Sequence, residues 1–235
     1  MSQFPSRNEP AWIDGRTAET GLREQAFIRS VYTWMFGGLA LTSLSALLVL
    51  RSVALQQRIF GNPLVTWGLL IAEFVLVMWL QVRITRLSAG AAATAFAIYS
   101  LMNGLTLSVI FFVYTTSSIA QAFLTAAGMF AAMSVYGTIT KRDLTSWGSF
   151  LVMGAWGIFL AFIINIWLKS SLLSFVASGI GVLIFTGLTA YDTQKLRAYA
   201  NSGQGNLAVY GALRLYLDFV NLFLMLLRLF GGRRN

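Results

Sequence analysis

The sequence predicts an all-α, polytopic membrane protein with seven transmembrane helices, and three observations carry that reading. Of 235 residues, 57% are hydrophobic and only 11% are charged, against about 25% charged in a typical soluble domain. The apolar residues gather into runs near the roughly 20 residues needed to cross a hydrocarbon core about 30 Å thick. The basic residues do not cluster; they punctuate the ends of those runs, as topology signals do.

Residues 1–28 are polar and carry Pro5, Pro10 and Gly15, with no basic start leading directly into an apolar core. They read as a flexible cytoplasmic N-terminal tail rather than a cleaved signal peptide, leaving 29–235 as a seven-helix transmembrane domain. The first span covers about Val31–Leu50, bracketed by Arg29 and Arg51. The second, about Leu64–Leu80, opens on Asn62-Pro63, a helix-start signal. Arg83 and Arg86 follow it. The third, about Ala89–Tyr114, is rich in small residues that let helices approach closely.

Thr115–Ser118 turns into the fourth span, Ile119–Ile139, and Lys141-Arg142-Asp143 forms a short charged loop. The fifth span is about Trp147–Trp167, closed by Lys169, and the sixth is Leu172–Tyr191. A polar stretch, Thr193–Asn206, leads to the seventh, about Leu207–Phe230.

With the N-terminus in the cytoplasm, the inner set is Arg7, Arg16, Arg23, Arg29, Arg83, Arg86, Lys141, Arg142, Lys195 and Arg197. The outer loops hold Arg51, Arg58 and Lys169. That bias fits the positive-inside rule. Seven full crossings put Arg233 and Arg234 outside; a last helix that enters and returns keeps them in.

The net charge of +9 is spread over loops, so it does not form a nucleic-acid surface. The chain has no cysteine and no histidine. Serine–histidine and histidine-bound zinc chemistry are therefore excluded. Any proton sensing must run on carboxylates, because the usual neutral-pH switch is missing.

A charge at mid-membrane costs about 2.5–3.5 kcal/mol on translocon scales and is a functional candidate by default. Four qualify: Glu73, Asp192, Arg214 and Asp218. On the seventh span, Tyr210, Arg214, Asp218, Asn221, Met225 and Arg228 recur in steps of 4, 4, 3, 4 and 3, which puts them on one helix face. Lipid cannot satisfy such a stripe, so it faces protein or water. Arg214 and Asp218 are also spaced as a local ion pair that would simply neutralise itself.

Asp192 sits at the inner end of the sixth span, where it is either a wetted helix end or a buried acid. Asp218 lies eleven residues beyond Leu207, about 16 Å along a helix. The two aspartates meet only if the boundary on the seventh helix lies nearer Arg214. If they meet, they cannot both ionise freely and titrate as a pair. Such a dyad senses protons without histidine, and it is a candidate Ca²⁺ site, to which Thr189, Asn221 and backbone carbonyls could add oxygens. Glu73 is either a member of the ion path or a structural hydrogen-bonding group, the latter being favoured. Asn103 and Asn165 read as glue between helices.

An intramembrane aspartyl protease also pairs a Tyr-Asp on one helix with an aspartate on the next. Here Tyr216-Leu217-Asp218 lacks the glycines expected around the second aspartate, and no proline follows Pro63. An enzyme is therefore not expected.

The segments GLTAYDTQKL and LRLYLDFVNLFLMLLRLFG, with the TKRDLTSWG loop, resemble the Bax inhibitor-1 (transmembrane BAX inhibitor motif) family from about Ala26 onward. The likeness is strongest to bacterial inner-membrane members. It implies six helices around a central seventh and a pH-sensitive calcium leak without a resident cofactor. It also implies a dyad matching Asp192 and Asp218, latched by an arginine at the inner end of the second helix. Arg83 is the candidate latch, with Arg86 its neighbour. Some bacterial relatives are linked to a membrane-bound protease as modulators or substrates, so the implied partners are lipid, Ca²⁺, protons and such a protease.

Overall fold

The computed structural model describes residues 11–200, 205–232 and 234. Its helices are α1 (Ala11–Arg51), α2 (Val53–Phe60), α3 (Pro63–Arg83), α4 (Ala89–Leu107), α5 (Ile110–Val113), α6 (Thr116–Ile139), α7 (Thr145–Leu168), α8 (Ser171–Tyr199) and α9 (Gly205–Phe230). A 3-10 turn, Ile84–Arg86, joins α3 to α4. Six of the helical segments, on α1, α3, α4–α5, α6, α7 and α8, are long and apolar enough to cross a membrane. The seventh long helix, α9, carries Arg214, Asp218 and Arg228 and lies at the centre of the other six.

Local chemistry sets the helix starts. Asn62 accepts a hydrogen bond from the Leu64 N–H at 3.0 Å, with Pro63 in the first turn, where its missing N–H costs nothing. Ser52, Ser88, Thr115 and Ser170 cap α2, α4, α6 and α8 in the same way. Between α7 and α8 the chain turns through Lys169 in the left-handed conformation, φ 50°. The Asn165 side chain accepts from the Ser170 N–H at 2.9 Å, so Asn165 closes this turn rather than gluing helices together.

Three boundaries differ from the sequence expectation. Of the tail expected over 1–28, residues 1–10 lie outside the described residues, and α1 already runs from Ala11. The third span breaks at Ser108–Val109 into α4 and α5. Helix α8 continues through the polar run after Asp192 as far as Tyr199. Helix α9 crosses completely. At its start the Asn206 side chain donates to the Thr85 and Leu87 carbonyls of the α3–α4 turn. At its far end Gly232 and Arg234 bond to Thr115, Ser118 and Val113 around the α5–α6 turn. A re-entrant last helix is thereby excluded.

Helix α9 packs directly on α1, α4, α6 and α8, while α3 and α7 complete the ring at greater distance. Ala212, Leu213, Leu215, Tyr216 and Leu222 have no exposed surface, so α9 is enclosed on its apolar face as well as its polar one. Glycines permit the closest approaches. A Cβ on Gly104 would meet the Thr42 carbonyl of α1 at 2.1 Å, and one on Gly137 would meet the Ala190 carbonyl of α8 at 2.4 Å. The second contact clamps α6 onto α8 two residues before Asp192.

The two ends of the bundle differ in charge. Arg83, Arg86, Lys141, Arg142, Lys195 and Arg197 lie at the end with the α3–α4 and α6–α7 turns, here termed the basic end. Arg51, Arg58, Lys169 and Arg234 lie at the other.

Candidate functional site

Asp192 on α8 and Asp218 on α9 are 3% and 5% exposed. Helix α8 continues for seven residues past Asp192, so Asp192 is no wetted helix end. Gln194 braces that extension. Its carbonyl accepts from the Leu144 N–H at 2.9 Å and its amide donates to the Arg142 carbonyl at 2.8 Å, tying α8 to the α6–α7 turn.

Arg214 does not form the expected pair with Asp218 on its own helix. Its Nε and Nη2 reach across to Asp192 Oδ2 and Oδ1 at 2.8 and 2.6 Å, and its Nη1 donates to the Tyr210 hydroxyl at 3.0 Å. The planar guanidinium matches a carboxylate as a two-pronged fork, and Asp192 offers both its oxygens to that fork. The Asp218 carboxyl neighbours that of Asp192, and its Oδ2 has no hydrogen-bond partner. Two carboxyls can hydrogen-bond to each other only by sharing a proton. With one proton on the pair, the Arg214–Asp192–Asp218 cluster carries no net charge, which is the form a buried site favours.

Space opens on either side of this cluster. Towards the basic end, a cleft of about 610 Å³ is bordered by Thr145, Gly148, Tyr191, Lys195 and Arg214. Towards the other end lies a cavity of about 920 Å³ among α3, α4, α5, α7 and α9, with Leu217, Asn221 and Arg228 on its wall. Along α9 the cleft ends at Arg214 and the cavity begins at Leu217. Asp218 borders neither.

A second polar cluster lies beside the cavity. Both Glu73 oxygens are occupied, one by the Asn103 amide and the other by the Thr106 hydroxyl at 2.8 Å. The Tyr216 hydroxyl donates to Asn103 Oδ1 at 2.9 Å and lies 2.7 Å from the Thr42 hydroxyl. This network joins α3, α4, α9 and α1. Tyr216 is its hub and the largest fully buried side chain, yet sequence reasoning passed over it. The available signal was a tyrosine inside an apolar span, away from the interfacial belt where tyrosines collect.

A family model described as "Inhibitor of apoptosis-promoting Bax1" matches residues 24–235. The chain belongs to the Bax inhibitor-1 family. It is 50% identical over 220 residues to the inner membrane protein YbhL of Escherichia coli, covering 89% of this chain and 93% of that one. It is also 40% identical to an uncharacterized protein of Borreliella burgdorferi, over 91% of this chain and 95% of that one. With an uncharacterized protein of Rickettsia prowazekii it shares 37%, covering 94% of each.

Within this Bax inhibitor-1 chain, the residues expected at the site separate into two groups. Asp192, Asp218 and Arg214 come together. Arg83 and Arg86 do not join them; both are exposed at the basic end. Leu80 and Ile84 take the inward face of α3 there, which turns the intervening Arg83 outward. Thr189 is buried, but its hydroxyl donates to the Phe185 carbonyl at 2.8 Å. The Asn221 amide donates to the Leu217 carbonyl at 2.8 Å, and its side chain borders the cavity rather than the carboxyl pair. Among the described residues, no group of three or more potential metal ligands is present. With Arg214 on both oxygens of Asp192, the cluster offers too few free oxygens for a resident Ca²⁺, which takes six to eight.

Proposed function

We propose that this protein is a cation leak of the bacterial inner membrane, passing Ca²⁺ as cargo and gated by protons on Asp192 and Asp218. The observation that supports it most is the Arg214 fork on Asp192, beside an Asp218 carboxyl with no other donor, between two cavities. The membrane assignment draws on the E. coli relative, described as an inner membrane protein. The basic end is assigned to the cytoplasm by the positive-inside rule.

The gating logic follows from charge. In the resting cluster one proton serves two carboxyls, and Asp192 holds Arg214 through two charge-assisted hydrogen bonds. A second proton neutralises Asp192 and removes the charge that holds the fork. The α8–α9 bridge at this level is then lost, and the barrier between cleft and cavity loosens. The latch is present above the pH at which the second proton binds and is lost as pH falls through it, so flux rises on acidification.

Purified protein in proteoliposomes, with a trapped Ca²⁺ indicator and a pH series, tests the reading. Asp192→Asn carries no charge for Arg214, so it is expected to leak at every pH with a flattened response. Asp218→Asn mimics the protonated partner and is expected to move the response. Wild-type flux and pH response in both variants would falsify the proposal.

A further inference from the structure

Arg228, two residues before the end of α9, has no role in the carboxyl pair or in the Glu73 network. Helical side chains lean toward the helix N-terminus, so Arg228 is directed back along α9 over the cavity rim while staying exposed. Its guanidinium lies 4.2 Å from the centre of the Phe162 ring. Phe162 is six residues before the end of α7, about 9 Å below it at 1.5 Å per residue. Arg228 also borders both the large cavity and the smaller one that adjoins it along α7. Among the described residues no carboxylate pairs with it; Glu73, on the same cavity, is already occupied by Asn103 and Thr106.

The cavity below Arg228 has the character of an acyl-chain site. Its wall includes Trp67, Ile71, Phe74, Phe159 and Ile163. Trp67, Ile71 and Phe74 are 53%, 60% and 40% exposed, so the wall continues onto the lipid-facing surface of α3. Helices α3 and α7 are not packed closely here, and one ring stack, Phe74 on Phe159 at 5.1 Å, spans them. From Arg228 to Leu217 the cavity follows eleven residues of α9, about 16 Å. That depth matches one leaflet of a hydrocarbon core about 30 Å thick.

We infer that the cleft between α3 and α7 binds one anionic phospholipid, its phosphate on Arg228 and one acyl chain in the cavity towards Leu217. An unpaired cation at headgroup depth selects the anionic head, and the apolar, laterally open wall selects a lipid over a free anion. Cation and cavity alone carry this site, and it does not depend on the leak. Seated there, the chain fills the cavity from Leu217 to the end of the bundle opposite the basic one.

The test is photocrosslinking of the full chain in phosphatidylcholine vesicles doped with either phosphatidylglycerol or phosphatidylcholine bearing a diazirine near the chain end. Peptide mapping reads labelling of the cavity wall, α9 217–224 and Ile163, against the outer face of α3. The expected result is cavity-wall labelling roughly fivefold higher from phosphatidylglycerol, the worth of one basic contact to an anionic head. Arg228→Gln is expected to equalise the two lipids, and Ser174→Trp, which fills the cavity wall, to lower labelling from both. Millimolar inorganic phosphate leaves the pattern unchanged if the ligand is a lipid; displacement by phosphate would identify a free-anion site and overturn the inference. Equal labelling by both lipids in the wild type, or a preference that survives Arg228→Gln, overturns it as well.

Discussion

Two carboxylate clusters lie inside the same helical bundle, and they are built on opposite principles. Around Glu73 every carboxylate oxygen has a neutral donor, and the network continues through Asn103 and Tyr216 to Thr42. Around Asp192 and Asp218 an arginine occupies one carboxyl and leaves the other with its neighbour and an orphan oxygen. A fully satisfied buried network rigidifies what it joins, whereas an unsatisfied one marks a strained or functional point. Thr193, beside Asp192, contributes a second of the three orphan buried atoms found among the described residues. Under the proposed function, the first cluster holds α1, α3, α4 and α9 together and the second responds to protons.

The largest effect is expected from removing the cation. Arg214→Gln leaves two neighbouring acids without compensation, and breaking a buried pair in this way costs about 3–5 kcal/mol. Thermal unfolding in detergent should show that loss at neutral pH, shrinking as acid supplies the second proton. Flux should be high and nearly independent of pH. A variant as stable as the wild type at neutral pH would erase the distinction between the clusters.

Glu73→Gln gives a smaller effect because its network can close again. The new amide can accept from Asn103 and donate to Thr106, whose hydroxyl already lies 2.9 Å from the Asn103 carbonyl. The expected loss is one ordinary hydrogen bond, about 0.5–1.5 kcal/mol, with the pH response of flux unchanged. Should this variant abolish the acid response, Glu73 belongs to the gate and the contrast drawn above is wrong.

Much of this contrast could be read before the structure, because helical periodicity is a local property. The steps from Tyr210 to Arg228 placed Arg214 and Asp218 on one face of α9, and that face does meet α8. The partner of Arg214 was not readable. Spacing offered Asp218 on the same helix, whereas Asp192 reaches Arg214 from the neighbouring helix α8, a packing contact that spacing does not reveal. Gln194, Lys195 and Arg197 are good helix formers, so polarity changes there while the helix does not. Ending the sixth span at Tyr191 marks the membrane boundary, and the helix runs past it to Tyr199. Arg83 failed for a related reason: the inward register of Leu80 and Ile84 is a packing fact that a basic residue at a span end does not reveal. Tyr216 showed only as a tyrosine inside an apolar span; its partners, Thr42 and Asn103, come from two other helices and spacing does not reveal them.

The smallest effect belongs to a carboxylate outside both clusters, which serves as their control. Asp143 lies exposed in the α6–α7 turn and accepts from the Thr145 N–H at 2.8 Å. The Thr145 side chain and N–H together hold its carboxyl below the usual carboxylate range. A lowered value means that the contact is present at neutral pH and is lost only as pH falls through that value. Ordinary aspartate titrates near 3.9, so Asp143 stays ionised throughout the physiological range and cannot drive a response there. Asparagine retains the oxygen acceptor and suits the same turn. Asp143→Asn should therefore leave both the unfolding curve and the flux-against-pH curve where they were. A shifted flux curve would move the acid response out of the bundle and into the loop that Gln194 holds against α8, and the Asp192–Asp218 pair would lose its claim to be the sensor.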